Sequence, residues 1–183
     1  MRQQKKEIND KKVIGNLLGS AAVGRLGTIG RDGYPRIKPL NFVHIDRAVY
    51  FHSAKEGEKI DDILRDGRVC FEVDLPIAYV KGTQDDPCGA SYLYQSVIIY
   101  GKAALVHDET ERRRALSELM RKYQPGGGYG GFLDAKLAIT AVVRIDIETM
   151  TGKEDLGKGA LRDRVAALQG GALLPLEMQG DEG

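Results

Sequence analysis

Apolar and polar residues alternate along most of the chain in the manner of short β-strands separated by tight turns. The alternation predicts six strands, at residues 21–29, 34–45, 48–52, 68–74, 92–106 and 141–148. Asp32-Gly33 is a strong hairpin signal between the first two strands. Asp46-Arg47 turns the chain again before the third strand.

Four other segments follow a helical period instead: residues 7–18, 57–65, 108–123 and, weakly, 161–168. The predicted buried faces are Val13, Ile14, Leu17 and Leu18 in the first, Ile60, Ile63 and Leu64 in the second, and Ala115, Leu116, Leu119, Met120 and Tyr123 in the third. Asp108 and Glu111 have the spacing of a capping box at the start of the third helix.

The order of these elements favours one fold class. Consecutive strands joined by hairpins, with helices inserted at intervals, differ from the regular strand-helix alternation of a parallel sheet. No clear two-sheet pattern is visible, so a small antiparallel barrel is favoured over a sandwich. Residues 75–90 and the glycine-rich stretch 125–131 are predicted to be loops.

Composition limits the possible functions. A chain of 183 residues corresponds to one domain with a core of its own. A formal charge of +1 gives no basic footprint for nucleic acid or an anionic membrane. The apolar runs are far shorter than the ~20 residues of a membrane span, and the charged N-terminus is unlike a secretory signal. Two cysteines, Cys70 and Cys88, are expected to be reduced thiols in a cytoplasmic protein.

Several familiar motifs are absent or misplaced. Residues 126–131 spell G-x-G-x-x-G, but they follow a predicted helix, whereas a dinucleotide fingerprint follows a strand and opens a helix. The three histidines, His44, His52 and His107, lack the spacing of a metal site. We therefore expect no metal.

The junction between the third strand and the second helix is a candidate anion site. Helix N-termini present unpaired N–H groups and partial positive charge, which suit a phosphate. Ser53 supplies a hydroxyl at the strand exit, and Lys55 and Lys59 are four residues apart. The alternative is a solvated loop in which Ser53 caps the helix and both lysines are ordinary surface residues.

Two further strand segments carry polar residues of interest. Pro39 cannot donate to a sheet ladder, so residues 36–42 are predicted to form an edge or a bulge with free backbone groups for a planar heterocycle. Arg36 and Lys38 alternate to one face of this strand. Gln95 and Ser96 interrupt the apolar strand 92–106. Ordinary edge and core strands are the alternatives.

Together, residues 24–74, 94–103 and 151–161 resemble the pyridoxamine 5′-phosphate oxidase-like, FMN-binding split-barrel superfamily. Within it, the chain is most similar to the nitroimidazole-resistance (Nim-type) flavin proteins. The resemblance implies a mainly β fold with peripheral helices, a six-stranded antiparallel split β-barrel. The barrel domain would span residues 1–160, followed by a C-terminal helix and tail at 161–183.

The resemblance also implies a homodimer with two FMN sites at its interface. Ser53 and Lys59 would hold the phosphate beside Ala54, and the backbone of Ile37, Lys38, Pro39, Leu40 and Asn41 would lie along the isoalloxazine ring. His52 would sit beside the flavin or substrate as the catalytic residue. Gln95 and Ser96 would reach in from the partner subunit.

The implied activity is FMN-dependent transfer of electrons from a reduced nicotinamide or other donor to a small aromatic or nitro-aromatic acceptor. The chain departs from the vitamin-B6 oxidase near Gly57 and Glu58, a stretch in which that enzyme has an arginine, and in its C-terminal segment. Oxidation of pyridoxamine 5′-phosphate is therefore not expected. The alternative is a non-catalytic flavin carrier or a haem protein with His52 as axial ligand, and FAD or a deazaflavin could replace FMN.

Overall fold

The computed structural model describes residues 4–159, 162, 163, 165 and 176–178. The strands are β1 (Glu7–Ile8), β2 (Gly24–Ile29), β3 (Pro35–Leu40), β4 (Val43–Ile45), β5 (Ala48–Ala54), β6 (Arg68–Val80), β7 (Ser91–Leu105), β8 (Thr140–Asp155) and β9 (Leu176–Met178). The α-helices are α1 (Lys11–Ser20), α2 (Glu58–Arg65), α3 (Glu109–Tyr123) and α4 (Asp134–Ile139), and Gln4–Lys6 and Pro87–Gly89 form 3₁₀ turns.

The strands follow the order β3-β2-β6-β7-β8-β5-β4, with β1 paired to β8 and β9 paired to β6. The pairs β2–β3, β2–β6, β4–β5 and β5–β8 are antiparallel, and β6–β9 is parallel. The predicted class, mainly antiparallel β with added helices, is confirmed. The strands exceed six because the predicted strand 34–45 is interrupted at residues 41 and 42, and because short strands are added near both ends of the described chain.

The chain divides into two compact units. One comprises the described parts of residues 1–17, 74–97 and 151–183, and the other comprises residues 18–73 and 98–150. Each of β6, β7 and β8 contributes residues to both units. The predicted boundary at residue 160, the helix at 161–168 and the tail fall largely outside the described residues, so these remain predictions.

In the second unit, three phenylalanines fill the interior. Phe42, Phe51 and Phe71 are fully buried, and the rings of Phe42 and Phe71 meet edge to face with centroids 4.9 Å apart. A neighbouring apolar cluster joins α3 to β4 and β5 through Ala115, Leu116, Leu119, Val43 and Tyr50. Asp108 caps α3 as predicted, since its Oδ1 accepts from the Glu111 N–H at 2.7 Å.

Several element boundaries differ from the sequence prediction. β6 continues through Pro76 to Val80, so the predicted loop 75–90 is partly strand. Pro76 is tolerated because it lies between the residues of β6 that pair with β2 and those that pair with β9. α1 begins at Lys11, because residues 7 and 8 pair with β8 as β1.

Two predicted core residues are wrong. Tyr123 on α3 is 36% exposed. Leu64 on α2 is 66% exposed, whereas Asp62 is buried on the inner side of α2 beside Ile60 and Ile63. Asp62 takes this position because Thr28 on β2 donates a hydrogen bond to its carboxylate at 2.9 Å. A buried polar partner on β2 therefore sets the rotation of α2.

Among the described residues, no helix combines the length and apolar character required to cross a membrane.

Candidate functional site

β3 forms one edge of the sheet, as the proline pattern predicts. It is the last strand in the order, and β2 pairs with it along one side from Ile29–Pro35 to Gly24–Leu40. Arg36, Lys38 and Leu40 are half-buried on one face, and Ile37, Pro39 and Asn41 are exposed on the other. The second backbone edge has no strand partner within the described residues, so its free N–H and C=O groups can bond a planar ligand.

The junction between β5 and α2 leaves the start of α2 open. Gly57 is the N-cap residue, with φ of 116°, and no side chain in the described part of the chain caps the helix. A Cβ at Gly57 would meet no atom within 4 Å. Ser53 therefore does not cap α2, and its alternative role as a helix cap is wrong. The Ile60 and Asp61 N–H groups donate to the Gly57 carbonyl, which leaves the N–H groups of Glu58 and Lys59 to face an anion.

Three cationic side chains surround the start of α2. The Lys38 ammonium is paired with the Glu58 carboxylate, and Arg36 Nε lies 3.4 Å from Glu58 Oε1. Lys59 lies in the first turn of α2, and burial, and then the charge of Lys38, lower its pKa. We call Arg36, Lys38 and Lys59 the cation cluster. The structure thus brings together two predicted residues and adds Arg36 to them.

Arg36 carries an unsatisfied donor. Its Nε is buried and makes no hydrogen bond to any described residue, because the contact with Glu58 has ion-pair distance without hydrogen-bond alignment. Its terminal nitrogen bonds Asp32 at 2.8 Å. A buried N–H without an acceptor costs about 1–3 kcal/mol. A phosphate oxygen is the kind of acceptor that this donor fits, so the residues present suit a phosphate.

The sequence indicates that Arg36 shares a strand face with Lys38, but it does not indicate that Arg36 belongs to the site. The available signal was its alternation with Lys38, which puts both side chains on one face of β3. The deciding observation is the position of Glu58, which is twenty-two residues further along the chain and meets both cations.

α2 is fixed against β2 by a second polar contact. Arg65 donates to Asp62 Oδ1 at 2.9 Å and also to the backbone carbonyl of Ile29. Burial alone would raise the pKa of Asp62, but the hydrogen bonds from Arg65 and Thr28 outweigh it and lower the pKa. Asp62 thus remains a carboxylate and anchors the helix next to the cation cluster.

His52 and Ser53 lie on opposite faces of β5, since neighbouring side chains of a strand alternate. Ser53 is half-buried and shares its face with Phe51, whose ring centroid is 5.3 Å from Lys59 Nζ. His52 is exposed and pairs across the ladder with Val142, and Ala54 ends the strand. The geometry groups Ser53 with Lys59 and separates both from His52.

Gln95 and Ser96 belong to the first compact unit, whereas the other predicted site residues belong to the second. Gln95 is buried, and its Nε2 donates to Glu154 Oε2 at 2.9 Å. The other oxygen of Glu154 accepts from Arg162 at 3.1 Å. The side-chain amide of Gln95 is therefore held in a fixed orientation.

The end of the edge segment is anchored by α3. The Tyr123 hydroxyl accepts from the Phe42 N–H at 3.0 Å and donates toward the Ala22 carbonyl at 2.9 Å. Lys122 Nζ lies 3.7 Å from the Phe42 ring centroid and donates to the Leu18 carbonyl at 3.0 Å. Burial lowers the pKa of Lys122 to about 8. These contacts fix Phe42 immediately after Asn41.

An open groove of about 800 Å³ runs beside the cation cluster. Its lining residues are Arg31, Asp32, Arg36, Glu58, Asp61, Asp62 and Arg65. No group of three or more His, Cys, Asp or Glu side chains in the described part of the chain is arranged to hold a metal ion.

Comparison with known proteins gives one family and several solved structures. The family model described as pyridoxamine 5′-phosphate oxidase matches residues 10–154. A candidate 5-nitroimidazole antibiotic resistance protein from Bacteroides thetaiotaomicron superposes with a TM-score of 0.71 at 29% identity, over 81% of this chain and 86% of that one. These two matches confirm the superfamily and the Nim-type similarity that the sequence predicts.

Two mycobacterial structures also match. The FAD binding protein from Mycobacterium smegmatis has a TM-score of 0.56 at 26% identity, over 81% of this chain and 96% of that one. The FAD and heme binding protein from the same organism has a TM-score of 0.76 at 19% identity, over 93% and 84% of the two chains, and this likeness shows the fold alone. No curated protein matches the chain.

Proposed function

The chain belongs to the pyridoxamine 5′-phosphate oxidase family, and on that premise we propose that it is an FMN-dependent oxidoreductase. It takes electrons from a reduced nicotinamide or another donor and passes them to a small aromatic or nitro-aromatic acceptor. The 29% identity with a candidate nitroimidazole resistance protein supports this class of acceptor. Oxidation of the B6 phosphate is not proposed, because this chain has Glu58 in the stretch where the vitamin-B6 oxidase family pattern has an arginine.

The observation that carries the proposal is the cation cluster at the open start of α2. A phosphate monoester carries about −1.5 to −2 charges at neutral pH and three acceptor oxygens. The buried Arg36 Nε lacks an acceptor, and the Ser53 hydroxyl shares a strand face with Phe51, next to Lys59. Together with the free N–H groups of α2, these donors match the acceptors of the FMN phosphate.

The edge of β3 supplies the second half of the proposed site. Residues 37–41 present a backbone edge that no strand of the described residues pairs with, and Ile37 is 68% exposed beside it. Backbone N–H and C=O groups on such an edge bond the polar rim of a heterocycle, and exposed apolar side chains cover its face. Tyr123 holds Phe42 in place, so the edge is rigid where it ends.

The flavin would supply the electron-transfer chemistry, and the protein supplies binding, orientation and protons. Reduction of a nitro group to a nitroso group consumes two electrons and two protons and releases water. His52 is exposed on β5, outside the phosphate-binding face, and we assign it to proton delivery to the acceptor.

We also propose a homodimer in which Gln95 and Ser96 of each chain complete the site of the other. Ile98 and Tyr100 support this assembly, because they are 37% and 55% exposed on β7, a strand with neighbours on both sides. Apolar side chains exposed in the middle of a sheet suit burial against a second subunit. The free thiols of Cys70 and Cys88 suit a reducing compartment, for which we propose the cytoplasm.

The visible spectrum of the purified protein tests the proposal. We expect the two absorption bands of a bound flavin, whereas a haem protein would show a Soret band instead. Under anaerobic conditions NADH or NADPH should bleach the flavin bands, and a nitroimidazole should restore them. Bands that no donor bleaches would indicate a flavin carrier, and a colourless protein that binds no added FMN would refute the assignment.

Replacement of Lys59 tests the phosphate contact. Lys59→Ala should weaken FMN binding about tenfold, the lower end expected for loss of one charge-assisted hydrogen bond at a half-buried site. Lys136→Ala is the matched control, since Lys136 is exposed on α4 and its replacement removes the same charge. Full retention of FMN by Lys59→Ala would remove this residue from the phosphate site.

A further inference from the structure

Glu58 occupies an unusual position for the first residue of a helix at an anion site. Its carboxylate contacts the Lys38 ammonium and lies 3.4 Å from Arg36 Nε. A carboxylate in the first turn is favoured by the helix dipole, so Glu58 is stable where it stands. Two members of the cation cluster are therefore already shared with a negative charge of the protein itself.

Lys59 differs from the other two cations. It has no ion-pair partner among the described residues, and burial and then the like charge of Lys38 lower its pKa. Lys38 and Arg36, with side chains 33% and 38% exposed, face Glu58, whose side chain is 53% exposed. A ligand phosphate thus meets one free cation and two that are partly neutralised.

The consequence depends on the charge of the incoming phosphate. A carboxylate that shares the cations with the ligand repels a dianion about twice as strongly as a monoanion at the same distance. FMN ends in a phosphate monoester that is mostly dianionic at neutral pH. Each phosphorus of the diphosphate bridge in FAD carries a single negative charge, and riboflavin carries none.

We propose that Glu58 is the specificity-determining residue of this site and reduces its preference for FMN over FAD and riboflavin. The proposal rests on the proposed flavin function and assigns Glu58 an electrostatic role toward the phosphate, without contact to the ring. It predicts a graded effect: removing the Glu58 charge should tighten binding more, the greater the negative charge of the phosphate next to the ribityl chain.

The test compares Glu58→Gln with the wild type. Flavin fluorescence quenching at low salt gives dissociation constants for riboflavin, FMN and FAD in both proteins. We expect Glu58→Gln to tighten FMN binding about three- to tenfold, FAD binding by a smaller factor, and riboflavin binding not at all. The gain for FMN should shrink as salt is added, because exposed charges are screened.

Glu56→Gln is the matched control. Glu56 is exposed, lies two residues upstream, and has no ion-pair partner in the described part of the chain. Its replacement by glutamine removes the same charge as Glu58→Gln. It should change the three constants by less than Glu58→Gln does. An equal gain in both variants would show a general charge effect and would refute the specific role of Glu58.

Three other results would overturn the inference. An equal gain for riboflavin would place Glu58 against the ring. Weaker FMN binding in Glu58→Gln would make the carboxylate a support that holds Arg36 and Lys38 in place. Unchanged constants in a wild type that binds flavin would refute the inference alone, whereas no flavin binding by either protein would refute the proposed function and this inference with it.

Discussion

At the scale of single residues, charge balance explains the side chains around the start of α2. Arg36 has one nitrogen bonded to Asp32 and a buried Nε without an acceptor. Such a donor is tolerated where binding of an anion satisfies it. Burial and a neighbouring ammonium both lower the pKa of Lys59, so the nearby negative charge of a phosphate would raise that pKa again.

His52 is the residue on which the proposed chemistry depends. His52→Ala should lower the rate at which a nitro-aromatic acceptor reoxidises the reduced protein, by about 10²–10⁴-fold if proton transfer limits that step. The yellow colour should remain, because His52 lies on the opposite face of β5 from Ser53. Stopped-flow absorbance measures reoxidation. His107→Ala is the control, since His107 is an exposed histidine outside the proposed site, and equal rates in all three proteins would remove the role of His52.

Lys122 should make stability depend on pH. Burial lowers its pKa from 10.5 to about 8, so the unfolded chain binds more protons than the folded chain between these two values. The free energy of unfolding should therefore rise with pH across this window. The stability gained from the neutral amine of Lys122 is present above pH 10.5 and is lost as pH falls through 8. Burial and the charge of Lys122 lower the pKa of His44, whereas Asp46 raises it.

Urea unfolding at several pH values measures this effect in the wild type and in Lys122→Met. The variant keeps the apolar stem of the side chain and removes the titrating amine, so the difference between the two proteins isolates Lys122. A difference that stays constant from pH 8 to 10.5 would contradict the assignment.

At the scale of elements, periodicity predicts those strands, turns and helix starts that are determined by neighbouring residues of the chain. The alternation predicts β2, β5 and β7, the Asp-Gly turn predicts the β2–β3 hairpin, and Asp108 predicts the start of α3. Pro39 predicts an edge or a bulge within residues 36–42 but not a break at residues 41 and 42, where the Phe42 N–H donates to Tyr123, 81 residues away. The six residues of α4 are too few for a periodic signal.

The same distinction applies to the candidate site. Ser53 and Lys59 could be proposed from the sequence, since they stand at a strand end and a helix start, and Lys38 could be proposed from the resemblance to the superfamily. The link between Arg36 and Glu58 requires β3 and α2 to lie side by side, and no local pattern specifies that arrangement. The exposure of Leu64 has the same origin, because Thr28 on β2 draws Asp62 inward.

Two glycines in neighbouring elements should respond oppositely to alanine. A Cβ at Gly24 on β2 would overlap the Phe71 ring, so Gly24→Ala should destabilise the protein by about 1–3 kcal/mol through overpacking. A Cβ at Gly15 within α1 meets nothing within 4 Å, so Gly15→Ala should stabilise by about 0.5–1 kcal/mol through helix propensity. Thermal or urea unfolding measures both, and a shift of the same sign in the two variants would contradict this packing.

At the scale of the whole molecule, the question is whether one chain suffices to form the site. The predicted site residues fall in two compact units, with Gln95 and Ser96 in one and the residues proposed to bind the phosphate in the other. The proposed homodimer accounts for this distribution by letting each site draw residues from both subunits. Size-exclusion chromatography with light scattering should therefore give about twice the 20.1 kDa mass of the chain.

Complementation between two defective variants separates a shared site from a single-chain site. Lys59→Met and Gln95→Leu should each bind FMN poorly as homodimers. In a mixed dimer with shared sites, one site would carry both substitutions and the other would carry neither. Random reassociation of equal amounts makes about half of the dimers mixed, so about one quarter of all sites should regain tight FMN binding. If each site instead forms within one chain, every site keeps one substitution and mixing restores nothing. Flavin retained after desalting measures the outcome, and separately refolded homodimers of each variant give the baseline.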